Sequence, residues 1–144
     1  MHADYQSNIL RELRDQQVRF APREKKVEQV NRAERLLDEI DPGKTYSYEY
    51  LCYRITDYRP DAVPSRTMPG AQARHDLRLF VEDVSDAADL HFDEAGEPVH
   101  TVDDLSRLFN VSTKTISRWR GQGLVGRRFL VDGRKRVGFL KSSV

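Results

Sequence analysis

Apolar residues three and four apart recur along this chain, and they divide it into a series of short helical segments. Ser7 is placed to cap the first, which carries Ile9, Leu10, Leu13, Val18 and Phe20 as its apolar positions. Pro22 suits the opening of a second helix, whose stripe runs through Val27, Val30, Ala33, Leu36, Leu37 and Ile40 and stops at Asp41-Pro42-Gly43. The other side of that helix mixes Arg23, Glu24, Lys25, Lys26, Glu28, Arg32, Glu34 and Arg35, the pattern of a solvated face. Around Tyr46, Tyr48 and Tyr50 the period becomes ambiguous. Alternation fits a strand, and a short helix capped by Ser47 that buries Tyr50, Leu51 and Ile55 fits equally well. Residues 59–70, with three prolines, read as a loop. Leu77, Phe80, Val81 and Val84 mark a further helix, which leads into an acidic stretch through Glu82, Asp86, Asp89 and Asp93 to Gly96-Glu97-Pro98, a linker by composition.

The last third has the sharpest pattern. Thr101 is a helix cap followed by Asp103 and Asp104 in the first turn, where carboxylates favour the positive end of the helix dipole. Val102, Leu105 and Phe109 share a side, Asn110 makes a turn, and Ser112 caps a second helix with Ile116 and Trp119 inward. Asp132-Gly133 is a strong hairpin signal, because a tight two-residue turn needs positive φ at both positions. The pattern predicts a mainly α-helical chain in two parts: a helical, partly acidic module over residues 1–97, then a winged helix-turn-helix with a short β-hairpin wing over residues 98–144.

Charge sharpens this division. The net charge of +1 over 144 residues conceals an asymmetry: from Thr101 onward there are 10 Lys/Arg against 3 Asp/Glu, a net of +7, while the first 100 residues carry a net of −6. A basic end beside an acidic body suggests that one face meets a polyanion. Cys52 is the only cysteine, so neither an internal disulfide nor a thiolate metal site is expected. His2, His75, His91 and His100 have no ligand-like spacing, and the acidic stretch lacks the alternating ligands and central glycine of a calcium loop. No nucleophile–base pair or phosphate loop stands out, so neither an enzyme nor a bound cofactor is expected. No apolar run is long enough to span a bilayer, and the first residues lack a signal-peptide pattern; a soluble cytoplasmic protein is expected.

The candidate chemistry is therefore DNA recognition. On the second helix of the pair, Thr113, Lys114, Ser117 and Arg118 face outward near the helix N-terminus, where recognition helices meet base edges, and Arg120 lies further along, toward the DNA backbone. The hairpin would gather Arg127, Arg128, Arg134, Lys135 and Arg136 into a positive wing for phosphates or the minor groove. Tyrosines interleaved with Arg54 and Arg59 could stack bases, although such residues more often pack core and rim.

Two resemblances follow from these residues. Thr101 to Phe139, with Val111-Ser112 and Thr115 at the turn, resembles the winged helix-turn-helix of the MerR and excisionase group. That group continues into a further helix after the wing, so the resemblance implies a unit truncated near Lys141–Val144. More broadly, Leu10–Lys25, Tyr53–Pro60, His75–Asp83 and Val131–Phe139 resemble the front end of a bacterial sigma-70-family sigma factor. This implies a role in transcription initiation, with double-stranded DNA and the RNA polymerase core as partners. The family's regions for core binding and promoter reading have no counterpart in these residues. A stand-alone MerR- or excisionase-like regulator and a protein-interaction module docking on polymerase are the alternatives.

Overall fold

A computed structural model describes residues 4–60 and 66–144. The chain is mainly helical, 58% by residue, with two small antiparallel sheets. Helix α1 (Asn8–Phe20) starts where Ser7 Oγ accepts the Ile9 N–H at 3.2 Å. Helix α2 (Arg23–Leu37) follows Pro22 directly and ends short of Asp41-Pro42-Gly43. Strand β1 (Thr45–Ser47) runs into helix α3 (Tyr48–Thr56), and strand β2 (Thr67–Pro69) into helix α4 (Gly70–Ala87). The tyrosine-rich segment thus takes both of its expected forms in succession. Ser47 ends the strand and caps the helix by accepting the Tyr50 N–H. Of the loop expected between residues 59 and 70, residues 61–65 lie outside the described residues.

Helix α4 organises the first part, packing on α1, on α2 and on β1 and β2. Its Ala73, Leu77, Phe80, Val81 and Val84 meet Leu10 and Leu13 of α1, Val30, Ala33 and Leu36 of α2, and Leu51 and Ile55 of α3 in one buried cluster. Two further features fix its start. Gly70 approaches the 41–44 turn so closely that an added Cβ would lie 2.0 Å from the Asp41 carbonyl oxygen. Asp76, fully buried, accepts the backbone N–H groups of Gln6 and Ser7 at 2.8 and 2.9 Å and so ties the entry of α1 to α4. Some apolar positions depart from expectation. Phe20 is 72% exposed at the end of α1, and Tyr50 lies at the surface, stacked on Tyr46 rather than in the core.

The second part begins at strand β3 (Val99–Thr101), followed by α5 (Val102–Phe109), α6 (Thr113–Gly121), β4 (Arg127–Val131) and β5 (Arg134–Leu140). Strand order is β3-β5-β4, all antiparallel. A small second cluster of Leu105, Ile116 and Phe139, with Val102, Val111, Trp119, Leu124 and Val137 around it, holds the helix pair on the sheet. Gly138 lets that sheet close, since a Cβ there would lie 2.6 Å from a Val99 methyl and 2.9 Å from the Phe129 ring.

The parts are knitted together rather than joined by a free linker. Glu97 accepts both the N–H and the hydroxyl of Ser142, and the Pro98 carbonyl accepts the Lys141 N–H, so Gly96-Glu97-Pro98 is part of the folded edge. On the far side of the sheet, β4 lies against α4. The Arg128 N–H is taken by Ser85 Oγ at 2.9 Å, and Leu130 donates to the Leu90 carbonyl at 2.8 Å. Those two contacts occupy the edge that β4 would otherwise present for pairing.

Candidate nucleic-acid interface

The corner between α5 and α6 is built by local chemistry. Thr101 Oγ1 accepts the Asp104 N–H at 3.1 Å while the Asp104 carboxylate accepts the Thr101 N–H at 2.9 Å, a reciprocal cap on α5. Those bonds hold the Asp104 carboxyl below its usual range, the backbone N–H of Thr101 contributing most. Asn110 closes α5 in the left-handed region at φ 54°, which Asn tolerates better than most residues. Ser112 then caps α6 through the Thr115 N–H. Ile116 is fully buried and Trp119 half-buried, with Phe109 edge-on to the indole at 5.5 Å.

This arrangement leaves Thr113, Lys114, Ser117 and Arg118 exposed along α6. Arg118 makes one hydrogen bond, to Thr115 Oγ1 on its own helix, and no acidic residue lies in the first turn. Both features favour an anion. At the hairpin tip, Asp132 and Gly133 take φ of 50° and 77°, and Arg134 and Arg136 are exposed beside them.

The remaining basic residues have internal partners. Arg127 is a correction to the sequence reading. It is 2% exposed, its Nε donates to Glu34 at 2.7 Å and its Nη1 to Asn31 at 3.0 Å, so it anchors the hairpin to α2 and has no surface to offer a phosphate; Glu34, expected on the solvated face of α2, is buried with it. Arg128 reaches Asp86 at 3.3 Å, with Glu82 at 4.0 Å. Lys135 sits between Asp86 and Asp89 at 3.1 and 2.7 Å, and its hydrogen bond draws the Asp89 carboxyl below its usual range. Arg120 pairs with Glu82 at 3.1 Å. The acidic positions of α4 and the following turn are thus the counter-charge of the basic hairpin. Three of the five expected wing residues are turned inward because their partners are carboxylates some 40 to 90 residues earlier, which no local pattern reveals.

The tyrosines also take their bland role. Arg66, Arg54 and Arg59 lie over the rings of Tyr48, Tyr50 and Tyr53 at 5.1 to 5.6 Å, and Arg14 covers Tyr5 at 4.9 Å. Each ring is capped by a cation of the chain itself. Among the described residues no cluster of His, Cys, Asp and Glu is arranged to hold a metal ion, and no helix is long and apolar enough to cross a membrane.

Sequence reasoning missed a cleft of about 390 Å³ between α4 and the turn that follows α6, lined by Arg74, His75 and Arg78 and by Gly121, Gln122 and Gly123. Its only sequence signal is the pair of arginines four apart on α4. Comparison of the chain with protein-family models, curated proteins and solved structures gives no match.

Proposed function

We propose that α5, α6 and the β4–β5 hairpin act as a winged helix-turn-helix that binds double-stranded DNA in transcription, with α6 as the recognition helix. One observation carries this reading: the exposed side of α6 offers Lys114 and Arg118 alongside the hydroxyls of Thr113 and Ser117, with no carboxylate among the described residues paired to them. Arg118 suits guanine, whose two major-groove acceptors match a guanidinium fork, and Lys114 suits guanine or phosphate. Arg134 and Arg136 at the hairpin tip suit phosphates. Arg120, Arg128 and Lys135 act chiefly inside the protein in this reading. The resemblance to the front end of a sigma-70-family factor gives the reading its setting, transcription initiation with the RNA polymerase core as a further partner.

Randomised-duplex selection tests this directly. Arg118→Ala is expected to weaken selected sites by about 1–3 kcal/mol and to relax preference at one base pair. Equal enrichment of every duplex by wild type and variant would end the base-reading claim. A second reading, a protein-docking module, draws support from Leu108 and Phe109, which are 61% and 45% exposed at the end of α5. It predicts no duplex binding even at low salt.

A further inference from the structure

Arg78 is out of balance with its surroundings. It is half-buried in the cleft between α4 and the turn after α6, yet it makes no hydrogen bond or ion pair with any described residue. Glu82, one turn further on and the one acid whose charge draws the other way, is itself engaged by Arg120 and approached by Arg128. Burial, and then the like charge of Arg120, push the Arg78 guanidinium below its usual range. Cations withdrawn from water are ordinarily paired, because the desolvation cost otherwise goes unanswered.

The rest of the cleft supplies what an anion would need. Arg74 lies one turn before Arg78 on α4, exposed and also without a partner among the described residues. The Gln122 side chain brings a further donor, and an added Cβ at Gly121 or Gly123 would meet nothing within 4 Å, so the turn there is open to approach. Asp38 is the one carboxylate lining the cleft, and it forms no ion pair with either arginine. His75 turns its Nδ1 to Asp76, away from service as a donor from that atom.

We propose that this cleft binds a phosphate-type oxyanion between Arg74 and Arg78, against the open Gly121–Gly123 turn, with the Gln122 side chain completing the contacts. A planar guanidinium fork with a second arginine beside it matches two oxygens of a phosphate. The anion is either a free phosphate compound or a phosphate of a DNA backbone held by α6. The second source rests on the DNA-binding reading, whereas the cleft's affinity for phosphate does not.

The test is an amide NMR titration of the full chain with inorganic pyrophosphate, against sodium chloride at matched ionic strength. Saturable shifts at Gly121, Gln122 and Gly123 are expected, weakened about tenfold or more in Arg78→Gln, as loss of one charged hydrogen-bonding group implies. Arg74→Gln is expected to weaken them too. Because Arg78 makes no hydrogen bond or ion pair with a described residue, Arg78→Gln should melt no lower than wild type without pyrophosphate. Shifts no larger than those from chloride, shifts unchanged in Arg78→Gln, or a lower melting temperature in that variant would each overturn the proposal. With binding established, adding a duplex separates the sources. Competition between duplex and pyrophosphate identifies a backbone phosphate, and independent binding identifies a free phosphate compound.

Discussion

Arg127 and Arg118 show how identical side chains acquire different work. Both stand in a basic stretch and both were candidates for DNA. Arg127 emerges on β4 opposite Glu34 and Asn31 and disappears into the protein, while Arg118 emerges on the free side of α6. The Arg127–Glu34 pair is nearly inaccessible, its side chains 3% and 7% exposed, so removing one partner strands the other charge in a place water does not reach. Arg127→Met is therefore expected to cost about 3–5 kcal/mol in denaturant unfolding. Loss of duplex affinity in that variant with unchanged stability would mean that Arg127 is a DNA contact after all. At this scale the sequence was informative wherever the partner was local. Ser7, Ser47, Thr101, Asn110 and Ser112 could be assigned because a cap or turn needs only the next few residues. Arg127 could not, since its partner lies 93 residues away.

At the scale of elements, the helix pair rests on a small core with three fully buried side chains and on its caps. The reciprocal bonds between Thr101 and Asp104 set where α5 begins, and with it the orientation of the corner that carries α6. Thr101→Ala is expected to cost about 1 kcal/mol of stability by denaturant titration, with Thr101→Ser recovering most of it. An unchanged midpoint in the alanine variant would show that the sheet pairing of Thr101 with Gly138, rather than its cap, fixes the start of α5. Periodicity located α1, α2, α4, α5 and α6, and the hairpin turn was plain in Asp132-Gly133. What periodicity could not supply was which side of the hairpin is covered. That depends on Ser85 and Leu90 meeting β4, a contact between the two parts of the chain. The cleft beside Arg78 was hidden for the same reason, being formed by α4 and a turn some 45 residues later.

Across the whole molecule, acid from the first part pairs with base from the second. Glu82, Asp86 and Asp89 hold Arg120, Arg128 and Lys135, while Arg23 is held by Glu94. Lys135 holds the Asp89 carboxyl low, Arg23 that of Glu94, and the Ser142 N–H that of Glu97. Carboxyls whose pKa is depressed on folding add stability that is complete above their unfolded value, about pH 4, and that fades as pH falls through the folded value. Thermal stability is expected to fall from pH 5 toward pH 2, more steeply in wild type than in a variant lacking Asp89 and Glu94. Equal slopes in the two proteins would show that these pairs leave stability untouched.

Under the proposed function, the same partition decides how the protein would meet a duplex. Outward cations release counterions from the duplex, whereas cations already paired inside do not. The most direct measurement is duplex affinity against salt concentration for wild type, Arg134→Ala and Lys135→Ala. The predicted result is a log–log slope that falls by about one unit for Arg134→Ala and stays at the wild-type value for Lys135→Ala. No duplex binding by wild type at low salt, or the same loss of slope in both variants, would contradict the account.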